Sequence, residues 1–158
     1  MLGVTAVAVV SLAACGGSKS TPTTVGAAAR SAAGTPAARL TSPRDDSKVA
    51  YRQEVGGVVT GLRPSTEAWI VVYPALAPAY WPQAGPLQPG PAGVFLTLAF
   101  FGVPNQDVGE HFTVRLVITT PAASARIRAF LAQPAPRRGM PSLPPGAQTL
   151  TQVTVTRS

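Results

Sequence analysis

The feature that most limits the folds open to this chain is the shortness of its apolar runs. "VGGVVTGL" (55–62), "EAWIVVYP" (67–74), "GVFLTLAFFG" (93–102), "HFTVRLVITT" (111–120) and "QTLTQVTVTR" (148–157) are rich in Val, Ile, Thr and aromatic residues, and turn-forming residues separate them. Such residues suit a pleated, half-buried surface, and the breakers between them end strands. The 17 prolines and 15 glycines among 158 residues point the same way, because that density of breakers excludes an all-helical fold.

With a first strand at 39–41 and a short one near Val49, about seven strands fall in residues 40–158. That spacing predicts an all-β fold, an antiparallel sandwich. In the last run Leu150, Val153 and Val155 form the apolar set against Thr149, Gln152 and Thr154. Trp69 lies inside a strand and is expected in the core. One segment has a different period: "AASARIRAFLAQ" (122–133) places Ala123, Ile127, Phe130 and Leu131 on one helical face, with Arg126 and Arg128 turned away. Pro121 suits its first turn and Pro134 stops it, so a helix of about ten residues is predicted, capping one end of the sandwich.

Ahead of the domain the composition changes twice. Residues 2–12, "LGVTAVAVVSL", carry no charge and are too short for the roughly 20 residues of a membrane-spanning helix. Their length matches the apolar part of a secretory signal. "LAAC" (12–15) followed by "GGS" then resembles the lipobox of bacterial lipoproteins. The resemblance implies that residues 1–14 are a signal peptide and that the thiol of Cys15 receives a diacylglyceryl group. It implies location at the extracytoplasmic face of a cell membrane. Two acyl chains, at about 0.8 kcal/mol per buried methylene, hold a protein stably. Residues 16–39 are almost all Gly, Ser, Thr, Ala and Pro, so 15–39 read as the lipidated cysteine and a flexible tether.

Residues 40–158 as a whole resemble an immunoglobulin-like module of actinobacterial envelope proteins. The resemblance rests on "LTSPRDDSKV" (40–49), on "GVVTGL" with "WIVVYP", on "YWPQAGPL" (80–87) and on the closing "LPPGAQTLTQVTVTR". "GPAGVF" (90–95) departs from the "D-G-x-W" turn common in that module, and Ser47 stands where a glycine is frequent. What the resemblance implies is a fold and an envelope location, with no activity, cofactor or metal.

The formal charge of +7, from thirteen basic against six acidic side chains, favours anionic envelope polymers or lipid headgroups as partners, or a protein. The bases are scattered and no nucleic-acid-binding signature accompanies them, so a nucleic-acid partner is not expected. With one cysteine the chain forms no internal disulfide. For chemistry the sequence offers "DVGEH" (107–111), where Asp107, Glu110 and His111 could ligate a metal or exchange a proton. The spacing fits no zinc motif, adjacent Glu110 and His111 diverge on a strand, and Asp107 suits a turn. No catalytic residue is assigned. The remaining candidates are aromatic: Tyr80 and Trp81, near Tyr73 and among Pro74, Pro78 and Pro82, could contact a ligand or close the edge of the sheet. The reading is therefore a lipid-anchored binding or structural module. Its alternative is an enzyme or enzyme accessory acting on cell-wall glycan.

Overall fold

The computed structural model describes residues 34–134 and 138–158, so Cys15 and the signal and tether segments up to residue 33 lie outside the described residues. Among the described residues eight strands form two sheets. The first sheet joins β1 (Ala37–Ser42), β3 (Arg52–Thr60) and β6 (Val94–Phe100) in the order β1-β3-β6. The second joins β2 (Ser47–Val49), β8 (Ala147–Arg157), β7 (His111–Thr119), β4 (Glu67–Pro74) and β5 (Trp81–Pro82) in the order β2-β8-β7-β4-β5. Helix α1 spans Pro121–Leu131.

The two sheets pack as a β-sandwich, and strand alternation puts one side chain in two between them. Val55, Val59, Phe95 and Ala99 come from the first sheet, and Ile70, Val72, Phe112, Val114, Leu116 and Val155 from the second. Gly57, between Val55 and Val59, is an inward position that admits no side chain. A Cβ there would strike the Arg39 carbonyl and stand 2.9 Å from the Phe95 ring. The ring occupies the place a side chain would take.

The sandwich is not purely antiparallel. β2 runs parallel to β8, with Ser47 opposite Val155 and Val49 opposite Arg157. The cause lies in "RDD" (44–46), where the chain leaves the first sheet and joins the second. Asp46 takes a left-handed φ of 58°, its N–H donates to the Thr154 carbonyl, and Asp45 Oδ1 accepts from Thr154 N. The last strand holds a second irregularity. Leu116 faces Thr151 while Val117 faces Thr149, so Leu150 is an extra residue, a bulge. The bulge lets Leu150 and Val153 pack on the same core despite their odd spacing.

Helix α1 covers a face of the five-stranded sheet rather than an end of the sandwich. Thr120 caps it, its Oγ1 accepting from Ala123 N, and Pro121 opens its first turn. Its Ile127 packs with Trp69 and Val71 of β4 and Val117 of β7 in a second apolar cluster outside the sandwich. Trp69 is fully buried, but in this sheet–helix layer and not between the sheets. With both faces covered, β4 reads as an unbroken apolar run. Arg128 does not simply turn to water. It pairs with Glu67 and its guanidinium lies 5.8 Å from the Trp69 ring centroid.

Two pairings fix the ends of the sandwich. Ala37 of β1 lies opposite Thr60 of β3, and at the other end of β3 Arg52 lies opposite Phe100 of β6.

Candidate functional site

A cavity of about 530 Å³ opens beside β5, an edge strand of the larger sheet. Its walls come from the ends of β4 and β6, from β5, from the 101–110 connection and from the last turn of α1. Four aromatic residues line it: Trp81, Phe100, Phe112 and Phe130. Trp81 and Phe130 meet edge to face with centroids 6.5 Å apart. Phe112 is buried and packs against Phe101 in the same way at 5.7 Å, so this wall continues into the core.

Gln83 ties the wall together. Its Nε2 donates to the Trp81 carbonyl and its Oε1 accepts from Phe100 N, both at 2.9 Å. A buried amide that bonds at both ends links β5 to β6 and so bridges the two sheets. No spacing in the sequence announces Gln83 as a bridge.

Two carboxylates also line the cavity, Asp107 and Glu110. Asp107 Oδ2 accepts from Val103 N across a tight turn. Gly102 makes that turn possible, for it holds φ +74° and a Cβ there would collide with the Asp107 carboxylate. Glu110 is buried and its Oε1 accepts from Leu76 N at 3.0 Å. Among the described residues no lysine or arginine lines the cavity. Apolar side chains stand exposed on or beside its wall: Phe100 and Val103 line it, while Leu76 and Val108 adjoin the lining residues Ala77 and Asp107. Exposed apolar residues in the lining of a cleft favour the docking of an apolar group there.

The candidates named from sequence are distributed over three places. Asp107, Glu110 and Trp81 share the cavity, whereas His111 stands exposed on β7 with Nδ1 3.1 Å from Thr156 Oγ1. Among the described residues no group of three metal-capable side chains assembles. Tyr80, next to Trp81, faces elsewhere. Its ring lies 4.9 Å from that of Tyr73, and the Arg115 guanidinium sits 5.3 Å from Tyr80 and 5.2 Å from Tyr73. Main-chain bonds between Tyr80 and Met140 hold it there.

One further polar cluster pins the helix. Ser124 Oγ accepts from Trp69 Nε1 at 2.8 Å, donates to Glu67 Oε2, and lies 3.0 Å from Thr119 Oγ1. The Ser124 hydroxyl, followed by the Arg128 guanidinium, holds the Glu67 carboxyl below its ordinary range against the opposing effect of burial. No family model and no curated protein matches the chain.

Proposed function

We propose that the chain is a lipid-anchored protein of the extracytoplasmic face of a cell envelope, and that its immunoglobulin-like domain binds a ligand without transforming it. The observation that carries the binding role is the aromatic-walled cavity. Its volume lies within the roughly 300–1,000 Å³ typical of small-molecule sites, and two of its lining residues, Phe100 and Val103, are exposed apolar side chains. The lipid anchor is supported by "LAAC" at 12–15 behind an uncharged apolar leader. The immunoglobulin-like reading is supported by strand order. β6-β3-β1 has the order of three of the four strands in one sheet of that fold, and β8-β7-β4-β5 the order of the other, with β5 in the place of the added strand of the variable type.

The basic surface suits anionic envelope polymers or a protein partner as a second contact. An enzyme or enzyme accessory acting on wall glycan is the second reading, favoured by Asp107 and Glu110 sharing one cavity. Release of reducing ends from wall glycan, abolished by Glu110→Gln, would establish it.

Anchoring is tested by Cys15→Ala, which is expected to move the protein from the membrane fraction to the soluble one and to remove the mass of the lipid. A variant that partitions like the wild type overturns the anchor. Binding is tested by titrating decanol into the 158-residue Cys15→Ala chain while following tryptophan fluorescence, since Trp81 lines the cavity and Trp69 is sealed from solvent. A response that persists in Trp81→Phe, or none at all, removes the cavity as the site.

A further inference from the structure

Resting on the cavity as a ligand site, we propose that its ligand is an organic cation: an ammonium, quaternary ammonium or guanidinium group carried on an apolar body. The charge distribution points this way. The chain carries thirteen basic and six acidic side chains, yet two of the six acids line this one cavity. An anionic ligand attracted by the overall charge would meet Asp107 and Glu110 on arrival. A cation would meet them as partners.

The aromatic walls add a second, independent preference. Trp81, Phe100, Phe112 and Phe130 present ring systems to one space. The negative faces of such rings attract a cation within about 6 Å, most strongly where water is excluded, and aromatic enclosures of this kind suit quaternary ammonium groups. The carboxylates are already held in place, because Val103 N and Leu76 N each donate to one of their oxygens. Such bonds fix each carboxylate at the wall without neutralising it. An ammonium ion therefore meets a negative site that needs little rearrangement. The apolar body is required by the rest of the lining, which apart from Gln83 and Gly102 is Val, Ala, Pro and Leu.

The test compares three ligands of one chain length, decyltrimethylammonium and decanoate below their micelle concentrations and decanol below its solubility limit. They are titrated calorimetrically into the 158-residue Cys15→Ala chain. The ammonium ion is expected to bind about tenfold tighter than the alcohol, and decanoate more weakly than either. Asp107→Asn with Glu110→Gln keeps an acceptor oxygen for each loop N–H and removes both charges. In that variant the preference for the ammonium ion over the alcohol is expected to fall to about threefold or less, a ratio that a general loosening of the cavity leaves unmoved because both ligands share the same walls. Equal binding of ammonium ion and alcohol, tighter binding of decanoate, or a preference unchanged in the double variant overturns the cation assignment and leaves the cavity standing. If none of the three binds the unaltered cavity, the underlying reading falls with it.

Discussion

Replacing Ser124 with alanine tests whether the helix is pinned by hydrogen bonding or by apolar packing alone. Ser124 is buried, and its hydroxyl serves Trp69, Glu67 and Thr119 together. The substitution removes one oxygen and leaves Cβ, so almost no cavity opens and the cost is polar. The Trp69 N–H loses its acceptor inside a fully buried layer, which costs about 1–3 kcal/mol. Glu67 loses a donor but can turn partly to water and keeps Arg128, adding roughly 0.5–1 kcal/mol. The better helix propensity of alanine returns about 0.5 kcal/mol. The net loss is about 1–3.5 kcal/mol, a sizeable part of the roughly 5–15 kcal/mol that holds a domain of this size. Urea unfolding measures it, with the midpoint lowered and the slope unchanged. Trp69→Phe supplies the control, because phenylalanine has no N–H to strand. In that background Ser124→Ala should cost about 1–2 kcal/mol less, the packing defect of the ring change being common to both arms. A cost under about 0.5 kcal/mol, or one equal in both backgrounds, would refute the assignment.

Glu67 gives the domain a pH dependence with a definite sign. Its folded pKa is lowered, so the stabilisation is full above the ordinary value of 4.5 and is lost as the pH falls below it through the folded value. The thermal midpoint should therefore drop more steeply below pH 4.5 in the wild type than in Glu67→Gln, and parallel profiles would count against it. Gly102→Ala combines a left-handed φ of +74° with a collision against the Asp107 carboxylate. It should cost about 1–2 kcal/mol in thermal or urea unfolding and weaken binding in the cavity, and an unchanged midpoint would show that the turn relaxes freely.

The strands were legible because their signal is local. "EAWIVVYP" coincides with β4, the runs at 93–102 and 111–120 contain β6 and β7, and the run at 148–157 is β8 without its first residue. β3 begins three residues before its apolar run, at Arg52, because its first residues pair with Phe100, Ala99 and Leu98 and not because of their own character. The parallel β2–β8 pair depends on a crossing between sheets that no periodicity encodes. Helix α1 was legible from its spacing and its prolines, but its location was not. An apolar stripe says that a face is buried and is silent on what buries it. The cavity is the least legible part. Trp81, Phe100, Glu110 and Phe130 come from four segments brought together by topology, and each alone reads as core, strand or turn. Trp81 and Glu110 were singled out for separate reasons, yet only the fold joins them.

The positions of Ala37 and Phe100 give the domain a polarity. The chain arrives at the sandwich beside Thr60, while the cavity wall at Phe100 lies beside Arg52, the far end of β3. The nine residues of the strand set those ends about 26 Å apart. If the domain is tethered through the residues before Ala37, it is held by its base with the cavity at its crown. A tether joined there enters the domain at the end away from the binding site, so the attachment itself does not crowd the cavity.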